Sequence, residues 1–131
     1  MTFSGDGYPY GEQNLPGCLG QYGYGCATVS NTYASTMTVL INYSFPVPSR
    51  IKTIRNFNGY GYPTDGDYDK YVQIRFMDHM GNEFFSTDQT WLANETMPDD
   101  IEFTTGGTIY FDIPAKYYFE LNQIDLIIET E

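Results

Sequence analysis

Period-two alternation constrains this chain more than any other feature. In TMTVLINYSF, the side chains Val39, Ile41, Tyr43 and Phe45 alternate with Thr38, Leu40, Asn42 and Ser44. Successive side chains of an extended backbone point to opposite faces, so this pattern builds a strand with one face toward a core. YVQIRFMD repeats it, with Val72, Ile74 and Phe76 inward and Gln73, Arg75 and Met77 outward. QIDLIIET does so again, setting Ile124, Leu126 and Ile128 against Asp125, Ile127 and Glu129. No amphipathic helical stripe interrupts the series.

Turn residues divide these runs. PVP closes the first strand, and RIKTIRNF follows with Ile51, Ile54 and Phe57 out of strict alternation, as a bulge would require. MGNEFFSTD reads as a hairpin turning at Gly81-Asn82 and continuing through Glu83–Ser86. TWLANETMPDD is the least strand-like piece and suits one helical turn ending before Pro98. IEFTT and TIYFDI follow with a turn expected at Gly106-Gly107, and KYYFEL precedes the last strand. Eight or so short strands with this punctuation predict an all-β fold, an antiparallel two-sheet β-sandwich of jelly-roll type.

The alternation begins near residue 36. Residues 1–35, rich in Gly, Tyr, Ser and Asn, show no apolar periodicity and are expected to form an irregular arm beside a β-sandwich domain over 36–131. No positively charged, apolar leader opens the chain, and no run is long enough to cross a bilayer, so no membrane insertion is expected. Formal net charge is −11, from 17 acidic and 6 basic side chains, which argues against nucleic acid and anionic membrane as partners. Such acidity suits solubility, cations or a basic partner surface.

Several residues carry candidate chemistry. Asp65, Asp67 and Asp69 in TDGDYD would point one way along an extended chain and converge on calcium, the one cofactor the sequence suggests. As a twelve-residue calcium loop the segment fails, because Lys70 occupies the glycine position and Phe76 the bidentate acid position. The other reading is a solvated acidic loop, partly neutralised by Lys70. Tyr60, Tyr62, Tyr68 and Tyr71 suit a subunit interface, core packing or stacking on a glycan. Trp91 reads either as a core anchor with Phe84 and Phe85 or as an exposed ligand anchor. Cys18 and Cys26 are either a loop-closing disulfide or two free thiols. His79 is the sole histidine, and no nucleophile, zinc or phosphate-loop motif is present, so catalysis is not expected.

The segments TVLINYSFPVPSRIKTIRNF, YVQIRFMDHMGNEFF and TIYFDIPAKYYFELNQIDLII together resemble the galactose-binding-like jelly roll of discoidin-type and carbohydrate-binding modules. That resemblance implies a non-catalytic binding or assembly fold. It carries over no individual sugar-contacting residue, and the family's early tryptophan is missing. In overall character the chain is similar to small tailed-phage virion proteins such as capsid decoration, tail and fibre components. The expectation is therefore a non-enzymatic virion protein, homo-oligomeric or bound to other virion proteins through its jelly roll and arm. The alternative is an extracellular or cell-surface carbohydrate-binding module using loop tyrosines.

Overall fold

A computed structural model describes residues 2–4, 8–10 and 27–131. Among the described residues, nine strands run in chain order: β1 (Thr2–Ser4), β2 (Tyr8–Tyr10), β3 (Ala27–Asn31), β4 (Met37–Pro63), β5 (Gln73–Asp78), β6 (Glu83–Thr87), β7 (Trp91–Thr96), β8 (Thr104–Ile113) and β9 (Tyr117–Thr130). All described pairings are antiparallel. No helix occurs among the described residues. The fold is all-β.

One strand organises the rest. The sheet order is β2-β3-β9-β4-β8-β5-β6, with β1 and β7 also paired to β4. The first half of β4 ladders with β8 from Met37↔Ile113 to Ser44↔Gly106, and β1 lies along its other edge. Its second half ladders with β9 from Ser49↔Thr130 to Pro63↔Tyr117, flanked by β7. The handover falls at Phe45–Pro48. Pro46 and Pro48 lack an N–H, so this stretch can leave one ladder and join another while losing few hydrogen bonds. PVP was expected to close a strand, but β4 continues through it as one element.

The core follows the alternation closely. Met37, Val39 and Ile41 of β4 are buried with Val72, Ile74 and Phe76, as are Ile109, Phe111 and Ile113 of β8. From the second half of β4, Ile51, Ile54 and Phe57 join them, along with Phe119, Leu121 and Ile124 of β9. Each such side chain contributes about 1.5–3 kcal/mol on leaving water. The Phe111 and Phe119 rings lie 5.6 Å apart, although β8 and β9 each ladder with β4 rather than with one another. Asn31 closes the corner between them. Its buried amide Nδ2 donates to the carbonyls of Ser35 (2.9 Å), Ile113 (3.2 Å) and Pro114 (3.0 Å), and its Oδ1 accepts from the Tyr33 N–H.

Three local expectations are corrected. Residues 91–96 form strand β7 rather than a helical turn, because their backbone pairs with Thr53–Asn58 of β4. Gly106 and Gly107 lie inside β8 and make no turn. A Cβ at Gly107 would overlap the Met77 carbonyl, and one at Gly106 the Tyr43 carbonyl, so glycine admits close backbone approach here. Ile128 is exposed and Asp125 buried, against the alternation expected in β9, since register shifts along β4–β9 interrupt the period. Of residues 1–35, the described ones include β1, β2 and β3, which form backbone ladders with β4, β3 and β9 respectively. At three to five residues each, they are too short to show a period.

Candidate functional site

The residues that gather outside the core are aromatic. In NGYGYP the strand period is carried by glycine rather than by polar residues: Gly59 and Gly61 face inward, Tyr60 and Tyr62 outward. A Cβ at Gly59 would lie 3.2 Å from the Phe119 ring, and one at Gly61 2.7 Å from the Tyr117 ring. Their missing side chains thus leave room for two buried rings beneath β4. Tyr60 and Tyr62, expected on a loop, stand instead on this strand. They are 56% and 42% exposed.

Register builds an outer face around them. Tyr62 pairs with Tyr118 and Tyr60 with Glu120 across β9, while Asn58 pairs with Gln123 on β9 and with Trp91 on β7. The Tyr62 and Tyr118 rings stack at 5.1 Å, inclined by 29°. Tyr60 meets Tyr62 at 5.7 Å with a tilt of 58°. The Tyr118 hydroxyl donates to the Glu120 carboxylate at 2.8 Å. Further along, Asp125 accepts from Asn56 Nδ2 at 2.9 Å and from Gln123 Nε2 at 3.3 Å. Across β3, Tyr118 and Glu120 pair in register with Ser30 and Thr28, and these with Tyr8 and Tyr10 of β2.

Trp91 belongs to this face and not to the core. It is 62% exposed, whereas Phe84 and Phe85 pack against the core beside Phe76. The reading of Trp91 as a core anchor is therefore corrected. Its neighbour Leu92 takes the inward position, opposite Phe57. The Gly59 N–H donates to the Thr90 carbonyl at 2.6 Å, extending the β4–β7 register past Trp91. Trp91 and Tyr60 are thus diagonal cross-strand neighbours, a relation that separates two residues by about 7–8 Å.

The TDGDYD loop has a different geometry. Residues 64–69 are bends and a turn rather than an extended chain, so alternation no longer aims the carboxylates together. Asp65 Oδ1 accepts from the Asp67 N–H, and Asp67 Oδ1 from the Asp69 N–H. Lys70 Nζ donates to Asp65 Oδ2 at 2.6 Å and to the Ala115 carbonyl at 2.7 Å, clamping the loop onto the β8–β9 connection. The bond from Lys70 holds the Asp65 carboxyl below its usual range. Among the described residues, no three His, Cys, Asp or Glu side chains come together as metal ligands. Tyr68 (81% exposed) and Tyr71 (55%) stand on or beside this loop, and no described ring contact joins them to Tyr60, Tyr62 or Trp91. Cys18 and Cys26 lie outside the described residues.

Three further features were not foreseen. Asp78 organises the β5–β6 turn, accepting from the Met80 and Asn82 N–H groups, each at 2.9 Å, and from Asn82 Nδ2 at 3.2 Å. Desolvation pushes its carboxyl up, but the bonds from Asn82 and Met80 outweigh that and hold it below its usual range. His79 beside it is exposed. A surface cavity of about 300 Å³ lies between this turn and residues 98–102, with Phe84, Pro98 and Ile101 among carboxylates of Asp78, Glu83, Asp100 and Glu102. Burial, followed by the nearby Asp78 charge, raises the pKa of Tyr43. Its hydroxyl donates to the Met77 carbonyl at 3.3 Å.

No family model, curated protein or solved structure matches the chain. No helix of the described residues is long and apolar enough to cross a membrane.

Proposed function

We propose that this protein is a non-enzymatic structural or assembly protein of the virion type, a capsid decoration, tail or fibre component, which makes subunit contacts through its sheet and its N-terminal strands. In this reading the sheet closes as a jelly-roll sandwich. One layer is β1, the first half of β4, β8, β5 and β6; the other is β7, the second half of β4, β9, β3 and β2. The Phe111–Phe119 contact supports that closure, since it brings together rings from two strands that do not ladder with each other.

One observation carries the assembly reading. The first ten residues contribute two separate three-residue strands, β1 on β4 and β2 on β3. Ladders of this kind are held by backbone groups, so the same bonds form whether a strand comes from its own chain or from another copy. Strand exchange of this kind is a low-cost route to oligomers. The composition, acidic and rich in Tyr and Gly, supports the virion setting and a location in the particle.

The test is deletion of residues 1–10, which spares β3 and the buried Asn31 corner. The expected result is loss of the oligomer with an unchanged β-type circular dichroism spectrum. An oligomer of unchanged size after that deletion would overturn the reading.

A further inference from the structure

We infer that β7 makes a second subunit contact, its free edge laddering antiparallel with β7 of another copy across a two-fold axis. This contact presupposes the assembly role and adds to what β1 and β2 supply. β7 ladders with β4 from Thr53↔Thr96 to Asn58↔Trp91, and no described strand lies along its other edge. The backbone N–H and C=O groups of such an edge template another strand, and folds suppress this with short strands, prolines, bulges or charge. The three other described edges carry those devices. β1 and β2 are three residues long, and β2 contains Pro9. β6 ladders with β5 through a register shift at Phe76/Met77, and its Glu83 lines the surface cavity with Asp78, Asp100 and Glu102. β7, WLANET, runs six residues with no proline, no glycine and one charged side chain, Glu95.

Charge selects a second copy as the occupant. At a net charge of −11, two copies repel over most of their surface. The margin formed by residues 52–58 and 90–97 differs, holding Lys52 and Arg55 against Glu95 alone. A basic partner, favoured elsewhere on this acidic chain, is repelled there. Lys52 and Arg55 stand one strand in, on β4, so their counterparts across the axis lie three strand spacings away. That is about 14 Å, beyond the screening length of about 8 Å at physiological salt. Full overlap of the two strands sets Trp91 opposite Thr96 and Glu95 opposite Leu92 of the second copy, so no like charges face one another directly. An antiparallel edge is its own complement about a two-fold axis, so a single surface serves both copies. Deletion of residues 1–10 then removes the larger assembly and leaves the β7 pair.

The test compares the full chain with the double variant Ala93→Lys/Asn94→Lys by light scattering. Both positions are exposed, and a lysine at each supplies the guard that β7 lacks. Circular dichroism establishes that the variant is folded. Its mass is expected to be half that of wild type. An unchanged mass overturns the β7 contact and leaves strand exchange standing. A full chain of two copies that the variant splits into monomers upholds the contact and removes the role of β1 and β2. A monomeric full chain overturns both. Hydrogen exchange on wild type reads the same edge without any substitution. The amides of Trp91–Thr96 that do not bond β4 are expected to be protected, and exchange at the rate of open backbone overturns the contact.

Discussion

At Gly61 a single methyl group would stand 2.7 Å from the ring of buried Tyr117. Gly61→Ala should therefore cost about 1–3 kcal/mol, the range for overpacking a filled core, measured as a lowered urea midpoint. A stability equal to wild type would show that the ring can move aside. Asp78 yields a prediction in pH. Its carboxyl is held below the usual value of about 3.9, so the stabilisation is fully present above that value and is lost as pH falls through the folded one. Urea midpoints of wild type and Asp78→Asn should differ at neutral pH and converge in acid; a constant gap would contradict the assignment. At this scale the sequence was legible where polar and apolar residues alternate, as in Val72–Met77. It was not legible at Tyr60 and Tyr62, because the inward positions between them are glycines and a polarity pattern cannot register an absent side chain. Trp91 read two ways, as core anchor or exposed anchor, for a related reason: polarity does not show that the flanking Leu92, a smaller residue, takes the inward position.

Among elements, β4 shows what local signals miss. Prolines normally end a strand, and Pro46-Val47-Pro48 were read that way. Here they sit where β4 leaves β8 and takes up β9, so their missing donors cost little. Whether a proline ends a strand or marks a handover depends on partners far along the chain. The Gly106-Gly107 pair was misread for the same reason, since its need for glycine comes from Tyr43 and Met77. The β5–β6 hairpin, by contrast, was legible because its turn chemistry is local. Asn31, invisible in sequence, ties the segment after β3 to the β8–β9 connection. Asn31→Ala would leave buried carbonyls without their donor and should lower stability by about 1–3 kcal/mol in urea unfolding. Trp91→Ala, on an exposed strand face, should change stability by no more than about 0.5 kcal/mol. A large loss there would return Trp91 to the core.

For the whole molecule, fold class was the most legible property, because alternation recurs in several strands and each recurrence excludes helix. The acidic loop was legible in part: Asp65, Asp67 and Asp69 look like converging ligands only if the backbone is extended, and the turn with its Lys70–Asp65 bond matches the other reading, a loop partly neutralised by Lys70. The proposed assembly role rests on β1 and β2, whose six residues ladder with β4 and β3 through backbone groups that a neighbouring copy presents equally. The most direct measurement of that role is the solution mass of the full chain by size-exclusion chromatography with light scattering over a range of concentrations. The account predicts one defined multiple of the monomer mass, persisting on dilution. A monomer at every concentration would contradict it.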